Sequence, residues 1–210
     1  ELTYGDIQAQ RLEITPENAQ EAEEILAHNA EEVFATAPEA YKFKPNALWQ
    51  QEQRIMARRL RELIRLDFSD ASPLNAFGTP RRVYQLEAPF GLQDVYPARI
   101  DLDAATDRFI WARGKIDRID IAGDDLIVVD YKSNSGTIGN QELSSGRNVQ
   151  MLIYVLAVAD MLRRDKHHDL TIRAGVFWHI NGGKLSTHYD ATNEAHQAQF
   201  EQAKSQILHN

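Results

Sequence analysis

GKIDRIDIAGDDLIVVDYKS, residues 114–133, is the stretch on which the fold turns. Two strand-like runs flank Gly123-Asp124, a dipeptide suited to a two-residue loop, so the stretch reads as an antiparallel hairpin. With those two residues at the tip, Ala122 faces Asp125, Ile121 faces Leu126, Ile119 faces Val128, and Asp117 faces Asp130. Side chains alternate along a strand, so Asp117, Ile119, Ile121, Leu126, Val128, Asp130 and Lys132 share one face. That face is apolar near the turn and charged at its far end, where Asp117, Asp130 and Lys132 gather.

Two carboxylates opposite one another on neighbouring strands repel, by about 4 kcal/mol at roughly 4 Å and an effective dielectric of about 20. A shared proton, the Lys132 ammonium or a divalent cation would each offset that. Converging carboxylates with main-chain carbonyls beside them form a hard-oxygen site suited to Mg²⁺ or Mn²⁺, which accept a couple of protein carboxylates and keep waters. A register slip of one residue, or a plain Asp–Lys pair at a strand end, is the competing reading of the same spacing. Downstream, NVQMLIYVLAVADMLRR, residues 148–164, reads as a mostly buried helix. Gln150 and Tyr154 lie four apart on it, on one face, as polar-tipped residues in an apolar run. A satisfied core amide and a core tyrosine have the same pattern; the upstream acids favour a shared site.

Outward from this centre, Thr15-Pro16 signals a helix start, with an amphipathic helix to about Ala37 that carries Leu26, Val33 and Phe34 on one side. A second helix is expected from about Asn46 to Leu66, with Ile55, Met56, Leu60, Leu63 and Ile64 on one stripe and Arg54, Arg58, Arg61 and Arg65 on the other. The arginine stripe reads as a solvated face or as a rail for nucleic acid. Residues 71–80 form a loop. Strands are expected at 81–90, 108–121, 125–132 and 171–180, and a closing helix at 192–208. Trp111 and Trp178 fall in strands and read as core residues rather than as base-stacking platforms. The polar loop from Ser133 to Arg147 is long enough to act as a lip over the centre, or to be an idle surface loop.

The bulk numbers narrow the functions. The chain has 210 residues, 43% of them apolar, enough for one domain with a real core. There is no cysteine, which excludes disulfides, thiolate zinc sites, cysteine nucleophiles and cysteine-held iron–sulfur clusters. No run approaches the roughly 18 consecutive apolar residues of a membrane span, and no targeting segment is visible, so a cytoplasmic protein without membrane contact is expected. A net charge of −8 gives no global pull on a polyanion, so any contact with nucleic acid must come from local basic groups or a bound cation. The seven histidines show no metalloprotease spacing, and there is no phosphate-loop signature. The chain begins without Met and reads as a piece excised from a larger protein.

GKIDRID, VVDYKS and GRNVQMLIYVLA, in that order, resemble the nuclease domain of the RecB and AddB helicase–nucleases, part of the PD-(D/E)xK superfamily; the likeness covers about residues 81–160. The resemblance implies an α/β, restriction-endonuclease-like fold, with a mixed central sheet flanked by helices. It implies that Asp117 and Asp130 bind Mg²⁺ or Mn²⁺ with the main-chain carbonyl of Tyr131, and that Lys132 orients or activates the attacking water. Gln150 and Tyr154 would contact the DNA backbone, and Glu87 stands where related nucleases carry an acid on the first strand. Two features depart from the pattern. YGDIQAQRLE is similar to a Gly-x-x-x-His helix around Gly5, Leu12 and Glu13, but Ala9 stands where relatives supply a histidine ligand. The four cysteines that hold an iron–sulfur cluster in some branches are missing.

The expected whole is a single RecB-like nuclease domain. Residues 1–80 form its helical N-terminal part, 81–190 the catalytic sheet and helix, and 191–210 the closing helix. Metal-dependent DNA hydrolysis, expected to be exonucleolytic, and a helicase domain or subunit as partner follow from the resemblance. The rival is a nuclease-like domain that binds DNA or holds a complex together without cutting; an endonuclease is a further option.

Overall fold

A computed structural model describes residues 1–103, 106–133, 149–167, 169–181 and 183–209. Most of the loop expected as a lip lies outside them. The helices are α1 (Leu2–Ala9), α2 (Ala19–Ala40), α3 (Ala47–Asp67), α4 (Gln150–Asp165) and α5 (Glu194–His209). The strands are β1 (Arg82–Phe90), β2 (Ala98–Asp103), β3 (Arg108–Ala112), β4 (Gly114–Ala122), β5 (Asp125–Lys132), β6 (Thr171–His179) and β7 (Lys184–Asp190).

β5 is the apolar heart of a five-stranded sheet ordered β1-β4-β5-β6-β7. Its neighbours pair antiparallel except β5 and β6, which run parallel, and α4 lies in the crossover that a parallel pair requires. The sheet is covered on both sides, which explains why Leu126-Ile127-Val128-Val129 is an unbroken apolar run. Leu126 and Val128 join a core with Met151, Leu152 and Val155 of α4 and Phe200 of α5. Ile127 and Val129 pack instead with Leu63 of α3, Leu74 and Trp178, and α1 and α2 extend that layer through Tyr4, Ile7 and Leu26. The mixed sheet flanked by helices is the α/β architecture read from the sequence.

The helical layer has local causes. Asn46 caps α3, its side-chain oxygen accepting from the Trp49 amide at 2.9 Å. The Thr15-Pro16 signal opens a 3₁₀ turn, Pro16–Asn18, and α2 starts only at Ala19. Part of the arginine stripe ties the two helices together: Arg65 grips Glu23 with two bonds of 2.7 and 2.9 Å, and Arg61 reaches the same carboxylate.

Three expectations need correction. The run 108–121 is not one strand: β3 pairs with the unforeseen β2 in a separate two-stranded ribbon, and β4 enters the main sheet. The break falls beside Gly114, where a Cβ would stand 2.6 Å from the Phe90 ring, so only glycine admits that ring against the backbone. Edge strand β7 is a further unforeseen element, a largely polar run that pairs with β6 alone. Trp178 is fully buried, but Trp111 is 62% exposed on the ribbon and is not a core residue.

Beneath the sheet lies an ionic cluster with no solvent contact. Arg81 meets Asp67 at 2.7 Å and Asp120 at 2.8 Å; Arg118 meets Asp67 at 2.8 Å and Asp120 at 2.5 Å. Tyr4 donates to Asp67 at 2.5 Å, and Arg118 donates to the Tyr131 hydroxyl at 2.9 Å. The Tyr131 ring lies between those of Tyr4 and Trp178, at 6.5 and 6.3 Å. Burial pushes its hydroxyl up to about 12. Tyr131 is thereby clamped between Asp130 and Lys132, which places both on the opposite face.

Candidate metal and nuclease centre

The hairpin register is the one the turn dictates. Gly123 takes φ +61° at the tip, and Ala122, Ile121, Ile119 and Arg118 pair with Asp125, Leu126, Val128 and Val129. Paired residues stop there. At the next position the Tyr131 amide is taken by the Asp117 carboxylate at 2.9 Å. A residue's amide and carbonyl point to the same edge of a strand, so the Tyr131 carbonyl is directed into this gap as well.

Asp117 sits at an irregularity. Ile116 and Ile119 face the same core although three residues apart, whereas Arg118 and Asp120 face the ionic cluster. The strand therefore switches face at Asp117. Across the ladder, bracketed by Leu86 opposite Arg118 and Ala88 opposite Ile116, stands Glu87 with φ +47°. A non-glycine residue in this region is strained, and such local disruptions of a ladder re-aim side chains beside functional sites.

On β5 the expected cluster is assembled. Asp130 is nearly buried and its Oδ2 meets the Lys132 ammonium at 2.5 Å. Gln150, at the start of α4, donates from Nε2 to Asp130 Oδ1 at 3.0 Å and to the Tyr154 hydroxyl at 2.9 Å, and accepts from Lys132 at 2.8 Å. Lys132 Nζ also lies 4.7 Å from the centroid of the Phe177 ring. Burial pushes the Asp130 carboxyl up, the Asp117 charge adds to it, and Lys132 opposes both. Burial raises Tyr154 too, helped by the charges of Asp130 and Asp117. The Asp130 carboxyl thus feels the Asp117 charge, and the Lys132 ammonium only partly offsets its rise.

Five of the expected residues, Asp130, Lys132, Gln150, Tyr154 and Asp117, are gathered, the last through the Tyr131 amide and its field at Asp130. The Glu87 carboxylate is ion-paired with Lys115 of β4. Among the described residues no group of three His, Cys, Asp or Glu side chains is close enough to hold a metal ion. The groups here that could hold one are the Asp117 and Asp130 carboxylates with the Tyr131 carbonyl, a small set of the kind that suits an ion keeping most of its waters. Ala9 is exposed at the last position of α1 and offers no donor atom. Two contributors were not read from the sequence: Phe177 under the ammonium, and Arg118, whose alternation with Asp120 on one strand was a visible hint of a buried charged face.

The profile of the PD-(D/E)XK nuclease superfamily matches residues 6–209. The chain belongs to this superfamily. Among curated proteins, it is 29% identical over 115 residues to an ATP-dependent helicase/deoxyribonuclease subunit of Listeria monocytogenes serotype 4a (strain HCC23), covering 52% of this chain and 10% of that protein. The protein of the same name from Alkaliphilus metalliredigens (strain QYMF) is 32% identical over 95 residues, 42% of this chain and 8% of the relative. The matched stretch thus spans about a tenth of the length of these relatives. As a superfamily nuclease domain the chain carries no helix, among the described residues, long and apolar enough to cross a membrane.

Proposed function

We propose that this domain hydrolyses DNA phosphodiester bonds with Mg²⁺ or Mn²⁺, as the exonuclease part of a larger DNA repair or recombination helicase–nuclease. The observation that carries the reading is the bonded chain Lys132–Gln150–Asp130, set beside Asp117 on a superfamily scaffold. The name that both relatives bear, ATP-dependent helicase/deoxyribonuclease, supports the helicase partner and the DNA substrate.

Asp117, Asp130 and the Tyr131 carbonyl would hold the ion; Glu87, engaged by Lys115, is left outside the set. The ion, when bound, supplies Lewis acidity and lowers the pKa of a water. Lys132 places a positive charge beside the reacting phosphate, where charge develops as the water attacks. Gln150 fixes both Lys132 and Asp130, so the base of α4 sets their separation. The Tyr154 hydroxyl, held by the Gln150 amide, is protonated at neutral pH and free to donate to a phosphate oxygen near the centre.

Incubation with end-labelled linear DNA and closed circular DNA tests this. The expected result is release of label from the linear DNA that chelator abolishes, with the circle left intact. Cutting of the circle would replace the exonuclease by an endonuclease. Intact linear DNA in both metals, with DNA still bound, would favour the second reading, a non-cleaving DNA-binding or scaffold domain. What favours it is Ala9, a methyl group where the resemblance implies a histidine ligand.

A further inference from the structure

The outward face of the β2–β3 ribbon borders a groove of about 650 Å³ that the proposed chemistry does not use. Trp111 and Tyr96 stand in it 62% and 79% exposed. Arg99, Arg113, Arg163 and Arg164 line it, with Asp160 as the carboxylate among the described lining residues. Asp101 and Asp107, just outside the lining, pair with Arg99 and Arg163, so four guanidinium groups meet three carboxylates, a small local excess of positive charge on a chain of net charge −8.

The groove is built, not incidental. Asp160 is buried, accepts from the Arg99 amide at 3.1 Å, and pairs with Arg163 at 2.5 Å and Arg164 at 3.0 Å. Arg99 faces Trp111 across the ribbon, is held by Asp101 at 2.8 Å, and stacks 4.2 Å from the Phe109 centroid. Phe109 in turn braces the indole edge to face at 5.5 Å. The other face of the ribbon, Ala98, Ile100 and Leu102, is anchored in the core. An aromatic pair is thus kept open to solvent, beside arginines whose side chains are fixed but partly exposed.

The groove and the candidate centre share α4 and are linked by packed side chains. The Tyr154 ring packs edge-on to Phe90 at 6.1 Å, and Phe90 presses on Gly114. Beyond Phe90, Gly91 touches Arg113 and Pro97, so closely that a Cβ there would lie 2.5 Å from Arg113 Cγ. Along the axis of α4, Asp160 to Arg164 lie roughly 9–15 Å past Tyr154.

We propose that this groove is a stacking platform for single-stranded DNA, on which the strand entering or leaving the centre lays bases against Trp111 and Tyr96 and phosphates beside the arginines. The identity of the strand rests on the nuclease reading; the stacking does not. Aromatic faces flanked by fixed cations accept any base, whereas a duplex hides its base faces.

Binding of a fluorescein-labelled oligo(dT) of twenty nucleotides, followed by anisotropy in chelator at low salt, tests the platform without catalysis. Trp111→Ala should weaken binding about fivefold or more, the lower bound for losing one stacked base. Trp111→Phe should keep most of the affinity, and Tyr41→Ala, which removes an exposed aromatic far from the groove, should match the unmodified protein. Equal affinity of Trp111→Ala and the unmodified protein would overturn the platform and leave the groove to a protein partner. So would an equal loss on a blunt duplex of the same length. Because no metal is present, Trp111-dependent binding by a protein that cuts nothing would sink the hydrolysis alone. Cleavage with binding indifferent to Trp111 would sink the platform alone.

Discussion

Replacing Lys132 by alanine is expected to slow release of label from linear DNA by about 10²–10³-fold, the usual cost of removing one group that stabilises developing charge. Lys132 is the hub of the centre: its ammonium meets Asp130 at 2.5 Å, donates to Gln150 at 2.8 Å, and rests against Phe177. The loss should be confined to chemistry. Lys132 occupies Asp130 Oδ2 in competition with a cation, so its removal should leave Mn²⁺ binding intact or tighter. Asp130→Asn is expected to abolish hydrolysis and metal binding together. Single-turnover rates at saturating Mg²⁺, set beside Mn²⁺ titrations, separate the two; equal activity of Lys132→Ala and the unmodified protein would remove the lysine from the mechanism.

Arg118→Ala should destabilise the fold by about 3–5 kcal/mol in urea unfolding near neutral pH, because it leaves Asp67 and Asp120 buried with Arg81 alone to balance them. The same cluster sets a pH dependence. Burial pushes the Asp67 carboxyl up, but Arg118, Arg81 and the Tyr4 hydroxyl outweigh it and hold the group below its ordinary value. A carboxyl depressed on folding stabilises fully above its unfolded value, about 3.9. That contribution is lost as pH falls through the folded value. The unmodified protein should therefore lose stability below about pH 4. In Arg118→Ala the loss should begin at higher pH, since the largest opposing charge is gone. Unfolding free energies measured from neutral pH down to pH 3 check both; parallel profiles for the two proteins would contradict the assigned role.

The hairpin was legible because one glycine-containing dipeptide and strict alternation fix a register, and that register places Asp130 and Lys132 on one face with no further information. Gln150 and Tyr154 were legible through helical spacing. The kink at Glu87 was not, since a glutamate with φ +47° carries no signal in sequence; nor was its ion pair with Lys115. The ribbon escaped because 108–121 alternates as one strand, and only the approach of Phe90 to Gly114 divides it. Trp111 was misplaced for a related reason. Alternation says which residues share a face, but what covers that face is decided by the rest of the fold.

The central claim is that Asp117 and Asp130 form a divalent-cation site, and calorimetric titration of Mn²⁺ into the isolated chain tests it most directly. One saturable binding event that Asp117→Asn and Asp130→Asn each eliminate, in variants whose urea unfolding remains cooperative, is the predicted result. Absence of saturable binding in the unmodified protein, or binding that survives both substitutions, would contradict it.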